Sequence, residues 1–174
     1  NGQTIFEINE VMYTIFPKRP GRLEPELTKE QLTRLGRFMA RLHNVGATVK
    51  AAPRLRLDPQ TYGRDPLKFL KDGNFVPLEL ASRFETIVSR ICDAIIPRFA
   101  GVQYVLLHGD CHSGNILWNR DDPYFIDFDD MLYAPPVQDI WMLTGGDDDY
   151  GKKRREILLE AYEQIRTFDM TTLQ

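Results

Sequence analysis

Polar side chains are concentrated between two apolar runs near the middle of the chain, in Leu106–Asp130 (LLHGDCHSGNILWNRDDPYFIDFDD). Asp110 follows the first apolar run, Asn115 lies five residues later, and Asp127 ends a later run. A carboxylate can position or deprotonate a hydroxyl, and hard oxygen donors suit Mg²⁺. A loop and a hairpin of this length can bring the three side chains into one cavity. Their types and spacing then meet the requirements of phosphoryl transfer from a nucleotide.

The same segment contains His108, Cys111 and His112, whose side chains are also typical zinc ligands. Two histidines four residues apart share a face only in a helix, and the neighbouring glycines disfavour a helix here. Zinc is therefore the weaker interpretation, and we expect Cys111 to be a packed thiol rather than a redox-sensitive group. An aspartate after a strand is by itself most often a turn residue, so the joint spacing of the oxygen donors favours a site at Asp110.

Helices that would support this segment are predicted from apolar residues at helical spacing. The first begins at Thr28–Gln31, a capping box in which the two side chains pair with free backbone N–H groups, and Gly46 is its predicted stop. The positions that predict the helices are Leu32, Leu35, Phe38, Met39 and Leu42; Pro66–Lys71; Leu80, Phe84, Ile87, Val88, Ile91 and Ile95, ending near Pro97 or Gly101; Val137–Leu143; and Ile157, Leu158, Ala161, Tyr162 and Ile165.

Strands are predicted from short runs of β-branched, aromatic and aliphatic residues separated by turn-forming residues. The loop predicted between the first two helices is 51–63, where prolines and basic residues predominate. The predicted strands are Thr4–Ile8 and Val11–Phe16, forming a hairpin around Asn9-Glu10, and Tyr104–Leu107, Ile116–Trp118 and Tyr124–Phe128, whose joints hold the polar residues. Mixed helix and strand is the resulting fold class.

Composition sets limits on the class of protein. The 174 residues are enough for one domain, and 43% hydrophobic with 27% charged residues is ordinary for a globular protein. A net charge of −3 and a pI near 5.6 argue against nucleic acid as a partner. Two cysteines make no disulfide framework and favour a reducing cytoplasm. No signal peptide or membrane-spanning run, of about 18 or more apolar residues, is recognisable.

The order His108-Gly109-Asp110, then Asn115, then Ile126-Asp127 resembles the signature of the aminoglycoside phosphotransferase and choline kinase superfamily, relatives of the protein kinases. The segments LLHGDCHSGNILW, YFIDFDD, PVQDIWML and EILLEAYEQI resemble the bacterial Ser/Thr protein kinases of that superfamily. The resemblance covers most of the chain. It implies an α+β, protein-kinase-like fold with a mainly helical C-lobe and short β-hairpins at the catalytic and metal loops.

The resemblance also implies roles for individual residues. Asp110 would be the catalytic base, Asn115 a Mg²⁺ ligand, and Asp127 both a second metal ligand and a catalytic residue. His108 would brace the catalytic loop, and Asp139 would anchor it from a buried helix.

By the same resemblance, residues 1–20 would be the last hairpin and hinge of an N-lobe, and residues 21–174 the C-lobe. The hinge would bind adenine of ATP, with Thr14, Phe16 and Lys18 as candidate residues. The glycine-rich phosphate loop and its partner lysine, which the resemblance would place ahead of this hairpin, are not found in residues 1–174. We therefore expect the chain to be truncated at both ends.

The expected function is ATP-dependent and Mg²⁺-dependent phosphoryl transfer to a hydroxyl, with Ser or Thr of proteins as the leading acceptor. A small alcohol, such as homoserine, choline or an aminoglycoside, is the alternative acceptor. A pseudokinase or binding module without turnover is the alternative from another class, if the lysine of the N-lobe is truly absent.

Overall fold

The computed structural model describes residues 4–51 and 53–173, in which two strands are followed by three helices, then by four short strands and two further helices. The helices are α1 (Lys29–Thr48), α2 (Asp65–Asp72), α3 (Leu78–Ile95), α4 (Val137–Thr144) and α5 (Asp149–Glu163). The strands are β1 (Phe6–Ile8), β2 (Val11–Tyr13), β3 (Val105–Leu107), β4 (Ile116–Asn119), β5 (Asp122–Phe125) and β6 (Leu132–Ala134). Shorter helical turns are Gln60–Arg64, Ile96–Phe99, Ser113–Asn115 and Met170–Leu173. No helix in the described part is long and apolar enough to cross a membrane.

The strands pair antiparallel in three two-stranded sheets, β1 with β2, β3 with β6 and β4 with β5. The predicted first hairpin is confirmed, although its strands are shorter than expected. Its turn residues Asn9 and Glu10 have φ of 51° and 64°, as a two-residue type I′ turn requires. The β3–β6 and β4–β5 pairs carry the loops that hold the polar segment.

The capping box predicted for α1 is present. The Thr28 hydroxyl accepts a hydrogen bond from the backbone N–H of Gln31 at 3.2 Å, and the Gln31 side chain accepts one from the Thr28 N–H at 2.9 Å. The cap fixes where α1 begins, and Leu35 and Met39 of α1 then lie in the main core with Leu158 and Tyr162 of α5. The polar segment packs against this core.

Gly46 was predicted to end α1, and this was wrong because the helix continues to Thr48. A Cβ at Gly46 would overlap the backbone carbonyl oxygen of Leu106 in β3. The glycine is required by the close approach of a helix to a strand. The loop predicted at 51–63 is also shorter than expected, since a helical turn begins at Gln60.

The amphipathic helix predicted before β3 is present as α3, but its apolar face is largely exposed. Leu80, Ile87 and Ile91 are each about half exposed, while Cys92 is buried. Helical periodicity identifies a face without identifying what covers it. The last predicted helix is α5, which ends two residues before Ile165.

We expect Gly46→Ala to lower the free energy of unfolding by about 2–3 kcal/mol, because the added methyl group meets β3 backbone rather than a movable side chain. At an exposed helical site the same change would stabilise by about 1 kcal/mol. The matched control is Ala47→Gly at the exposed neighbouring position, which should cost only about 1 kcal/mol from helix propensity. Urea denaturation measures both, and a Gly46→Ala protein as stable as wild type would contradict the close approach.

Candidate active site

The loop between β3 and β4 begins with His108-Gly109-Asp110 and ends with the helical turn Ser113–Asn115. Gly109 has φ of 91°, in the region that favours glycine, and a Cβ there would overlap the carbonyl oxygen of Asp130. The glycine therefore permits two loops to touch through their backbones. One is the loop that carries Asp110, and the other follows Asp127.

Asp139, fully buried on α4, anchors the start of this loop. Its carboxylate accepts hydrogen bonds from the backbone N–H of His108 at 3.1 Å and of Gly109 at 3.0 Å. A third nitrogen, Nε2 of His43 on α1, lies 3.2 Å from the same carboxylate. A buried carboxylate is tolerated when donors satisfy its oxygens, and here the three donors come from two separate elements, this loop and α1.

His43 is itself fixed by a second contact, since its Nδ1 lies 2.9 Å from the hydroxyl of Tyr162 on α5. The carboxylate of Asp139 only accepts, so Nε2 donates to it, and in the neutral ring Nδ1 then accepts from the phenol. Burial raises the pKa of Tyr162, and the charge of Asp139 adds to this while Arg166 opposes it. His43 is thus a structural residue that joins α4 to α5 through its two ring nitrogens.

Asp110 and Asn115 lie in direct contact. The Asn115 amide nitrogen donates to the Asp110 backbone carbonyl at 2.9 Å and to Oδ2 of its carboxylate at 3.2 Å. Asn115 is 7% exposed, whereas the Asp110 side chain is 35% exposed. Because the amide nitrogen is used on Asp110, the amide oxygen is the group left for another partner. The carboxylate has an open side toward solvent.

Asp127 is linked to the same loop through its neighbour Ile126. The Ile126 N–H donates to the Asn115 carbonyl at 3.0 Å, and the Ile126 carbonyl accepts from Nε2 of His108 at 2.8 Å. The strand predicted through Phe128 ends at Phe125, because Asp127 adopts a φ of 62° that ends strand geometry. This turn leaves the Asp127 carboxylate exposed just beyond the hairpin that carries Asn115.

These residues fit a magnesium ion better than zinc. The Asn115 amide oxygen and the Asp127 carboxylate are hard oxygen donors, and Mg²⁺ usually takes one or two carboxylates from protein. Within residues 4–51 and 53–173, no group of three or more His, Cys, Asp or Glu side chains is arranged to hold a metal ion. Cys111, a zinc candidate by type, is fully buried, and burial raises the pKa of its thiol, with Asp139 and Asp110 adding to the shift.

His112 is the residue of this loop that sequence reasoning left without a role. Its Nδ1 accepts a hydrogen bond from the Gly114 N–H at 3.0 Å, and its Nε2 lies 3.4 Å from Oδ2 of Asp110. The signal in the sequence was its place two residues after the aspartate and two before a glycine. That spacing suits a side chain that caps a tight turn.

The hinge candidates Thr14, Phe16 and Lys18 are exposed and lie in chain without regular secondary structure after β2, where the Thr14 hydroxyl donates to the Thr4 carbonyl at 2.7 Å. Farther along, Arg22 pairs through its backbone with Trp118 of β4, at 3.0 and 2.8 Å. The segment after the hinge candidates is therefore attached to the strand that follows Asn115.

Comparison with known proteins assigns this arrangement to a family. The model of a family described as "Phosphotransferase enzyme family" matches residues 3–174. The chain belongs to this family. It is 35% identical over 170 residues to stress response kinase A of Escherichia coli strain K12, covering 97% of this chain and 52% of that protein. It is 35% identical over 173 residues to the serine/threonine protein kinase RdoA of Salmonella typhimurium strain LT2, with the same coverage.

A solved structure shows the same fold in a phosphotransferase. The amicoumacin kinase hAmiN, in complex with AMP-PNP, Ca²⁺ and Ami, superimposes with a TM-score of 0.66 at 20% identity. The match covers 97% of this chain and 55% of that one. The fold is thus the predicted α+β, protein-kinase-like one, and the expected family is confirmed. The chain spans about half the length of the curated relatives it matches.

We expect Tyr162→Phe to lower the free energy of unfolding by about 1–2 kcal/mol near pH 7, because it leaves His43 Nδ1 buried without its partner. The raised pKa of Tyr162 adds a pH dependence. Above about pH 10 the unfolded chain loses the phenol proton while the folded chain keeps it, so wild-type stability falls. The phenylalanine variant lacks this loss, and the gap between the two proteins should narrow from pH 9 to 11.

The control is Tyr62→Phe, at a half-exposed tyrosine, which should change neither the stability nor its pH dependence. Denaturant unfolding followed across this pH range provides the measurement. A constant gap between wild type and Tyr162→Phe would show that Tyr162 ionises alike in the folded and unfolded chain.

Proposed function

We propose that this phosphotransferase moves the γ-phosphoryl group of ATP to a hydroxyl, with Ser or Thr of proteins as the acceptor. The observation that carries the proposal is the Asp110–Asn115 contact, in which an amide nitrogen holds one carboxylate oxygen at 3.2 Å. Among the described residues no hydrogen bond is made to the other oxygen, Oδ1. That oxygen is available to an incoming hydroxyl.

Asp110 would act as the base. Its Oδ1 orients the acceptor hydroxyl and takes its proton as the hydroxyl oxygen bonds to the γ-phosphorus and the bond to the leaving ADP oxygen breaks. The carboxylate is partly exposed, so an acceptor can reach it, and its attachment to Asn115 restricts its rotation. Positioning of this kind supplies much of the catalysis in phosphoryl transfer.

Asn115 and Asp127 would hold Mg²⁺ through the amide oxygen and the carboxylate. A bound Mg²⁺ would neutralise the negative charge of the phosphates. The backbone bond from Ile126 to Asn115 keeps the two ligand-bearing loops in register without relying on side chains. His108 and Asp139 would support the site from behind, by the hydrogen bonds already described.

The acceptor is proposed from the relatives. Two curated relatives bear the names of a stress response kinase and a serine/threonine protein kinase, which supports a protein acceptor and a role in stress response. The amicoumacin kinase supports the second candidate, a small hydroxyl compound, because the fold is shared. The intact set of Asp110, Asn115 and Asp127 favours catalysis over a pseudokinase.

Two further assignments belong to the proposal. Residues 1–20 would be the last hairpin and the adenine-binding hinge of an N-lobe, and residues 21–174 a C-lobe. The hairpin exposes Val11 and Met12, which is consistent with a sheet that continues elsewhere, although residues 1–3 lie outside the described range. A cytoplasmic location is proposed because Cys92 and Cys111 are both free thiols, as is usual in a reducing compartment.

We expect the full-length protein that contains this chain to hydrolyse ATP, or to transfer its γ-phosphoryl group, when Mg²⁺ is present. Asp110→Ala and Asp127→Ala should each lower kcat by about 100-fold or more, because the first removes the base and the second removes a metal ligand. Asp122→Ala is the control, since Asp122 is exposed at the far end of the β4–β5 hairpin. A coupled ADP assay measures the rates. Equal turnover by all four proteins would eliminate the mechanism.

The acceptor is tested by labelling with ATP that carries a labelled γ-phosphate. We expect label on Ser or Thr of the protein itself or of a generic protein substrate, identified by phosphoamino-acid analysis, and none with Asp110→Ala. Label found only on a small alcohol, such as an aminoglycoside, would overturn the protein acceptor while leaving phosphoryl transfer intact.

A further inference from the structure

The His112 ring is held on one side by the backbone of its own loop. Nδ1 accepts from the Gly114 N–H at 3.0 Å, and this contact caps the helical turn that ends at Asn115. The side chain is nevertheless 45% exposed, so packing in the core does not account for its orientation. The cap fixes the ring and thereby fixes where its second nitrogen points.

The cap also determines which nitrogen carries hydrogen. A nitrogen that accepts from an N–H must present a lone pair, so in the neutral ring the hydrogen is on Nε2. That nitrogen lies 3.4 Å from Oδ2 of Asp110, a contact longer than a strong hydrogen bond but within polar contact distance. The ring nitrogen that carries the hydrogen is therefore the one that lies next to the carboxylate.

The two nitrogen contacts fall on the same carboxylate oxygen. Asn115 Nδ2 is 3.2 Å and His112 Nε2 is 3.4 Å from Oδ2, and the described residues make no hydrogen bond to Oδ1. A carboxylate has two equivalent oxygens that exchange by rotation about the Cβ–Cγ bond. A hydrogen bond from Asn115 and a polar contact with His112, both on one oxygen, remove this equivalence and favour one orientation of the free oxygen.

We propose that His112 is a positioning residue that, through its Nε2–H, keeps Asp110 Oδ2 turned away from the acceptor and Oδ1 turned toward it. The inference rests on the proposed function, since it assigns a means of orienting the proposed base. The alternative is a purely structural role, in which His112 only caps its own turn. The two accounts differ in which ring nitrogen matters.

Two substitutions separate the two nitrogens. His112→Asn places an acceptor oxygen near the position of Nδ1, and asparagine is a preferred capping residue, so the turn is kept while the contact with Asp110 is lost. His112→Gln extends an N–H donor toward the position of Nε2 and loses the cap. His112→Asn tests the positioning role, and His112→Gln tests whether an N–H donor near the position of Nε2 restores it.

We expect His112→Asn, in the full-length protein, to unfold at the same denaturant concentration as wild type, to keep its KM for ATP within about twofold, and to lose about tenfold in kcat. His112→Gln should recover most of that kcat even if its stability falls. In an Asp110→Ala background, His112→Asn should cause no further loss, because the residue acts through the carboxylate.

The outcomes also distinguish the inference from the proposed function. Wild-type turnover that depends on Asp110, together with a His112→Asn protein of wild-type kcat, would overturn the positioning role and leave the proposed function standing. A His112→Gln protein as slow as His112→Asn would overturn the role of the N–H donor. Turnover that does not depend on Asp110 would overturn both.

Discussion

The structure depends on the burial of one carboxylate, that of Asp139. Removing a charge from water costs several kcal/mol, which is tolerable only when donors replace the water. Three nitrogens do so here, two from the loop that carries Asp110 and one from His43 on α1. If α1 or the loop moved away from α4, a buried oxygen would lose its partner. The position of the loop is therefore coupled to the packing of the main core, and Tyr162 extends that coupling to α5.

Backbone contacts hold together the two loops that carry Asp110 and Asp127. Ile126 joins the loop that carries Asp127 to both Asn115 and His108, and Gly109 allows the Asp130 carbonyl to lie against the catalytic loop. Two-stranded sheets are only marginally stable alone. The β3–β6 and β4–β5 sheets pack against α1 and are held further by such contacts. The side chains of the proposed site are consequently carried on short segments that are fixed at both ends.

Much of this could be predicted from the sequence, and the failures have physical reasons. The capping box and the first hairpin are local patterns, and the family was visible from residue order in the segment around Asp110. Gly46 was misread because a glycine that ends a helix and one that lets a strand approach look alike in sequence. The exposure of α3 depends on distant packing, and the orientation of the His112 ring depends on a hydrogen bond to Gly114.

The contact of Asn115 with Asp110 has a consequence for which substitutions this position can accept during evolution. An aspartate at 115 would offer a metal ion a full negative charge and has nearly the same shape. It would also replace the N–H donor with a second carboxylate oxygen against Oδ2 of Asp110, and the two negative charges would repel each other. If Asn115 holds Mg²⁺ as proposed, its amide group donates a hydrogen to Asp110 and keeps its oxygen for the ion. A neutral side chain at residue 115 would then meet both requirements, whereas a charged one would meet only that of the ion.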